Sequence, residues 1–281
     1  MPERLGFEQV HHHAGRVSEQ RFTASDGVGL VYDDLGAGTP IVLCHGLAAG
    51  GAQLFADAAY FAGRGYRVLV PDLRGHGRSG KPKPVSRETL SIGRLADDMR
   101  EMLDHAGVGP VHWVGNSLGG IVAISMLPEH EARFRTLATF GTSYRLSLPD
   151  FWAPAVPPIQ ALLGKRFTGW LVAQGTTKNP AARPIIRQLI EQFDPQVGLA
   201  LSRNLAHYDV IANGVAATLP ILMLRGGEDR LINAALGPTL AAMTGRPNFE
   251  LVEVPGGGHC MNLDAPEEVR RELEGFWGRN P

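Results

Sequence analysis

The sequence predicts an α/β fold: a mostly parallel central sheet of about eight strands flanked by helices, with a helical lid inserted after the sixth strand. Three observations carry that expectation. Short apolar runs at residues 40–44, 67–70 and 220–224 are continuous rather than alternating, as in strands buried on both faces of a sheet. Residues 86–106 place Leu90, Ile92, Leu95, Met99, Met102 and Leu103 at helical spacing, with charges on the opposite face. Segments of these two kinds alternate along most of the chain, and alternation implies parallel strands joined by helical crossovers.

In chain order, residues 21–25 and 29–33 are short strands around Asp26-Gly27, a hairpin turn signal. The third strand, 40–44, runs into His45-Gly46-Leu47-Ala48-Ala49-Gly50. A helix over 53–62 and a strand over 67–70 follow, then the glycine-punctuated loop Pro71-Asp72-Leu73-Arg74-Gly75-His76-Gly77-Arg78-Ser79. After the helix at 86–106 come a strand at 111–114, an apolar helix at 121–127 and the sixth strand at 136–140. Strands at 220–224 and 249–254 complete the series, with helices at 234–243 and 266–277. Between 143 and 214 the alternation stops. No strong strand pattern occurs there, only prolines, aromatics and helical patches such as 184–193. An insertion of that length is expected to form a lid rather than a structureless loop. The expected division is a flexible arm at 1–20, a core at 21–142 and 215–281, and a helical lid (cap) at 143–214.

Composition narrows the function classes. A formal net charge of −1 gives no electrostatic footprint for nucleic acid or an anionic membrane. No apolar run approaches the ~18 residues that span a bilayer, and residues 1–17 lack the apolar core of a signal peptide. The two cysteines, Cys44 and Cys260, lie in segments that read as structural, so a disulfide framework is not indicated and a cytoplasmic setting is expected. His11-His12-His13 are successive side chains on one arm and cannot close a metal site; no metal is expected.

The stretch most loaded with chemistry is Gly115-Asn116-Ser117-Leu118-Gly119, between a strand and an apolar helix. Gly-x-Ser-x-Gly in that context is a sharp turn that lifts the serine hydroxyl above the sheet edge. A Cβ at either glycine is expected to collide with the neighbouring strand or helix. The helix N-terminus then points its free N–H groups at any developing oxyanion. A serine hydroxyl needs a histidine to take its proton, and the histidine needs an acid to fix its tautomer. Both are available after later strands: Glu228-Asp229 after 220–224, and Gly256-Gly257-Gly258-His259 after 249–254.

With these residues in view, the chain resembles the α/β-hydrolase-fold enzymes, in the serine esterase and enol-lactonase branch, from about residue 21 to 278. The resemblance rests on five motifs in order. They are His45-Gly46 after the third strand, the 72–79 loop, the elbow, Gly227-Glu228-Asp229, and Gly258-His259 followed by Asp264-Ala265-Pro266-Glu267. It implies Ser117 as nucleophile, His259 as general base and then acid, and Asp229 as orienting carboxylate, with Glu228 the rival acid. Some relatives carry the acid after the sixth strand, but residues 140–148 hold no carboxylate. A serine nucleophile argues against the aspartate-using haloalkane dehalogenases and epoxide hydrolases.

The same resemblance implies an oxyanion hole made by the backbone N–H groups of Leu47 and Leu118, and no cofactor. His45 reads as a structural hydrogen-bonder and also as a candidate substrate contact, together with Trp152, His207 and Tyr208. His76 and Arg74 are expected to brace the 72–79 loop, and His112 to sit in the core. The implied reaction is hydrolysis of a small carboxylic ester or lactone through an acyl-enzyme, on an apolar or aromatic small molecule. Seven Lys/Arg against four Asp/Glu in 143–214 suit either a substrate carboxylate or a solvated helical face. Alternatives on the same triad are a perhydrolase and a C–C hydrolase of vinylogous diketones. The latter enzymes usually carry tryptophan after the histidine, where Cys260 stands here. A non-catalytic ligand-binding receptor is the reading from a different class.

Overall fold

The computed structural model describes residues 17–148 and 163–281. Its strands are β1 (Val17–Thr23), β2 (Gly29–Gly36), β3 (Thr39–Cys44), β4 (Tyr66–Asp72), β5 (Val111–Asn116), β6 (Phe134–Phe140), β7 (Arg145–Ser147), β8 (His207–Asp209), β9 (Ile221–Gly226) and β10 (Phe249–Val254). Eight of them form one sheet in the order β1-β2-β4-β3-β5-β6-β9-β10. β2 pairs antiparallel with β1 and β4, and every other pairing in that sheet is parallel. The expected architecture is the observed one.

Continuous apolar strands are explained by two cores, one on each face. Along β3, Val42 and Cys44 enter one core while Ile41 and Leu43 enter the other, as the two-residue strand period requires. The first core is covered by α2 (Ile92–His105) and α3 (Leu118–His130), and the second by α1 (Phe55–Ala62) and a C-terminal helix, Pro266–Arg279. That C-terminal helix locks on through Trp277, edge-on to Phe61 at 4.9 Å. α2 begins at Ile92 rather than 86 because the Ser91 side chain accepts from the Arg94 N–H and caps it.

The remaining helices are α4 (Lys165–Thr176), α5 (Arg183–Gln192), α6 (Pro195–Leu205), α7 (Ile211–Ala216), α8 (Arg230–Ala235), α9 (Gly237–Met243), α10 (Met261–Asp264) and α11, the C-terminal helix. The helices inserted after β6 include α4, α5 and α6. Among the described residues no helix is long and apolar enough to cross a membrane.

Two expectations are corrected. Residues 17–20, expected in the flexible arm, are part of β1, which pairs with β2 from Val17 to Thr23. As an edge strand β1 is only half covered, so its apolar signal is weak. The insertion, expected to lack strands, contains β7 and β8 as an antiparallel pair. Each has only three residues, too few for a two-residue period to be read. His11, His12, His13 and Trp152 lie outside the described residues.

The loop after β4 is fastened to α2 from within the core. Arg74 is fully buried and meets Asp98 with two nitrogens, at 2.5 and 2.6 Å, while Asp26 and the Thr89 carbonyl take its remaining donors. Removing one partner of such a pair leaves a charge in the core without its counter-ion. Arg74→Ala is expected to cost about 3–5 kcal/mol in urea unfolding. A loss below about 1 kcal/mol would mean that the pair behaves like a surface salt bridge.

Candidate active site

Ser117 occupies the single residue between β5 and α3, with φ 51° and ψ −114°. Non-glycine backbone in that region costs on the order of 1–3 kcal/mol, so surrounding contacts must hold it. Its N–H donates to the Phe140 carbonyl at 2.9 Å, and its carbonyl accepts from the N–H groups of Gly120 and Ile121 and from the Thr142 hydroxyl. Both flanking glycines are required by space. A Cβ at 115 would lie 2.4 Å from the Gly120 nitrogen, and one at 119 would lie 2.3 Å from the Cys44 carbonyl oxygen.

His259 lies in the loop after β10, and its Nδ1 is 2.9 Å from Asp229 Oδ2. The Asp229 carboxylate is buried, and its other oxygen accepts from the Ile232 N–H at the start of α8. It therefore orients the imidazole while being held itself. Glu228, its neighbour in sequence, points elsewhere: its side chain is half exposed and faces Lys178 at 3.7 Å.

Three polar residues that sequence reasoning assigned no role knit this arrangement together. The Asn116 side-chain amide donates to the carbonyls of His259 (3.1 Å) and Phe140 (3.2 Å). Its oxygen accepts from Gln53 at 2.9 Å, and Gln53 and Asn262 bond one another through side chain and backbone. Asn262 continues to the buried carboxylate of Asp57, which Arg270 caps at 2.7 Å. The position next to Ser117 thus reaches the histidine loop directly.

Leu47 lies in the loop that crosses the elbow. A Cβ on Gly46 would be 3.2 Å from Ser117 Cβ. Ala48 has φ 56°, the other positive non-glycine value among the described residues, and its N–H donates to His76 Nε2 at 3.2 Å. Leu118 is the first residue of α3, where a backbone N–H has no partner within the helix.

Of the candidate substrate contacts, His45 is instead the structural hydrogen-bonder, the other expectation for it. It is fully buried, its Nδ1 is 2.7 Å from the Gly46 carbonyl, and its Nε2 accepts from the Leu73 N–H. Both ring nitrogens are committed to backbone, and burial holds its pKa down. Tyr208 and His207 sit on β8, outside the cavity beside His259. The Tyr208 hydroxyl donates to the Ser143 carbonyl at 2.8 Å, and His207 is exposed beside Ser147.

That cavity is small, about 50 Å3, room for one or two waters. Among the described residues, its floor is residues 46–49 with Gln53, Asn116, His259 and Cys260, and its roof is Val172 and Thr176 of α4 with Ile186, Leu189 and Ile190 of α5. The roof is bonded to the histidine loop. Cys260 N–H donates to the Thr176 carbonyl, and the Asp264 carboxylate takes the N–H groups of Gly258, Lys178 and Asn179.

Two buried imidazoles, one by the elbow loop and one at the far end of β5, make the fold acid-sensitive. Burial, with His45 acting in the same direction, pushes His76 down to about 3, and burial pushes His112, bonded to Thr136 in the core, down to about 4. A histidine depressed in the folded state binds protons preferentially when unfolded, so its stabilising effect is complete above about pH 6.5 and is lost below it. The urea midpoint is expected to fall between about pH 7 and about pH 5. His76→Gln and His112→Gln should each flatten that dependence; slopes equal to wild type would remove these side chains as its origin.

A non-heme haloperoxidase of Rhodococcus erythropolis is 34% identical over 274 residues, covering 90% of this chain and 97% of its own length. The 3-oxoadipate enol-lactonase 1 of Acinetobacter baylyi is 25% identical, covering 75% of this chain and 78% of its own. A thermophilic esterase from Thermogutta terrifontis superposes with a TM-score of 0.79 at 25% identity, over 94% of this chain and 99% of that one. Residues 41–272, which span β3, the elbow and the histidine loop, match the model of the alpha/beta hydrolase family, and the chain belongs to that family.

Proposed function

We propose that the protein is a serine hydrolase that cleaves a small carboxylic ester or lactone through an acyl-enzyme. The observation that carries this reading is the contact of His259 Nδ1 with buried Asp229, in a loop bonded directly by Asn116, the neighbour of a serine held at positive φ on a helix N-terminus. Ser117 Oγ attacks the carbonyl carbon while His259 Nε2 takes its proton. The backbone N–H groups of Leu47 and Leu118 receive the oxyanion. Collapse of the tetrahedral intermediate breaks the bond to the alcohol oxygen, which leaves with the proton from His259. Water, deprotonated by the same imidazole, then releases the acid and restores Ser117. Asp229 keeps Nδ1 protonated and stabilises the imidazolium that forms twice per cycle.

The roof residues Val172, Ile186, Leu189 and Ile190 favour an apolar or aromatic substrate. Because the cavity holds little more than water, the roof residues on α4 and α5 act as a lid, part of which must move for substrate to enter. The likeness to the haloperoxidase favours a second reaction of the same acyl-enzyme: hydrogen peroxide replaces water and leaves as a peroxycarboxylic acid.

A fluorophosphonate is expected to add once, on Ser117, as read by intact mass and peptide mapping, and to add far more slowly to His259→Ala. With p-nitrophenyl acetate, Ser117→Ala and His259→Ala should each lose at least about 1,000-fold in kcat, and Asp229→Asn about 10,000-fold. Glu228→Gln should stay within about twofold. Wild-type turnover near the uncatalysed rate and unaltered in Ser117→Ala would leave a binding protein; a Ser117→Ala variant as fast as an active wild type would overturn the triad, and severe loss in Glu228→Gln alone would move the acid to that residue.

A further inference from the structure

A second cavity, of about 420 Å3, lies beside the small one and falls within the usual range for ligand sites. The same two pieces of chain bound both. Residues 46–49 line the small cavity and Gly50 and Gly51 the large one, so one loop after β3 passes through both floors. On α5, Ile186 and Ile190 face the small cavity, whereas Ile185, Gln188 and Gln192 face the large one. Successive residues of a helix are about 100° apart, so these sets are adjacent stripes, and Leu189, which lines both cavities, lies on the ridge between them. Its Cδ2 would touch a Cβ at position 50, 3.4 Å away.

We propose that the two cavities are halves of one substrate cleft, divided by Leu189, and that the larger half takes a neutral alkyl or aryl group flanking the scissile bond. This rests on the reading of Ser117 as nucleophile. The small half alone has no room for a long alkyl or aryl group, whereas movement of one side chain joins it to a volume that has. The charge of the larger half decides the chemistry of its occupant. Asp33 and Asp72 both clamp Arg78, at 2.7–2.8 Å, so the guanidinium is outnumbered by carboxylates and is not offered to a substrate anion. The rest of the wall includes Phe55 and Ile185, apolar surface. A carboxylate-bearing group is therefore disfavoured there, although the insertion as a whole carries more basic than acidic residues.

The test uses ethyl acetate as the small reference and ethyl octanoate and octyl acetate as the large substrates, with Ala52→Trp and Leu189→Ala. Ala52 is exposed and lines only the larger cavity, so a tryptophan there fills it without entering the core. The kcat/KM ratio of at least one large substrate to ethyl acetate is expected to fall about tenfold or more in Ala52→Trp and to rise several-fold in Leu189→Ala. Ethyl hydrogen suberate, which ends in a carboxylate, should be about tenfold worse than ethyl octanoate. Ratios within about twofold of wild type in both variants would overturn the cleft, and equal use of the suberate would overturn its charge preference. Calorimetric binding of N-octylacetamide to Ser117→Ala, weakened about tenfold by Ala52→Trp, tests the cleft without catalysis. Absence of acetate turnover in the wild type would count against the nucleophile, whereas unchanged octylacetamide affinity would count against the cleft.

Discussion

Where β3 ends and α3 begins, the Cys44 carbonyl and Gly119 are so close that no side chain fits between them. That approach lets the loop after β3 lie across the elbow, and it is possible only because the first turn of α3 is glycine-rich. Gly115 does the same on the strand side, against Gly120. With both contacts in place, Ser117 has one backbone conformation open to it, and the strain is borne by hydrogen bonds from β6 and α3. The loop carrying Leu47, the strand carrying Asn116 and the helix starting at Leu118 then meet within a few ångströms.

From that junction the rest of the site is reached through amides rather than charges. Asn116, Gln53 and Asn262 are buried, and each spends donors on backbone carbonyls or on one another. A chain of neutral amides avoids the large desolvation cost of buried ions, and its single carboxylate, Asp57, is placed where Arg270 can neutralise it. The histidine loop is thereby referred back to the elbow by Asn116 and to α1 through Asn262.

How much of this was legible in the sequence follows from the range of each interaction. The elbow is a local motif, and its glycines announce the close approaches they permit. The parallel strands declare themselves because both faces are buried. Asp229 and His259 end up 2.9 Å apart because each follows a strand of the same parallel pair, an order visible in the chain. The amide network was not legible, since Gln53 reaches partners 63 and 209 positions away and asparagine or glutamine in a loop has no signature of burial. His45 was legible as a structural hydrogen-bonder, but its full enclosure, which removes it from substrate, depends on β4 and the loop after it. β7 and β8 are too short to carry a pattern, and Tyr208 is held by a tertiary contact to Ser143.

The roof over the site is fastened unequally at its two ends. At the α4–α5 connection, Asp264 gathers backbone N–H groups from both sides of the joint, with Thr177 adding its hydroxyl. Beyond α5 the attachments include Phe193 stacked on His76, the Asn204 amide on the Arg87 and Leu90 carbonyls, and an exposed pair, Lys81 with Asp194. Dissolved ions screen an exposed pair within a Debye length of roughly 8 Å at physiological strength, yet hardly touch hydrogen bonds to a half-buried carboxylate. The exposed pair on the histidine side, Lys178 with Glu228, is screened as well, but there the hydrogen bonds to Asp264 persist. Rising salt loosens the roof at the α5–α6 junction, where amide exchange would quicken first, and leaves the histidine side anchored.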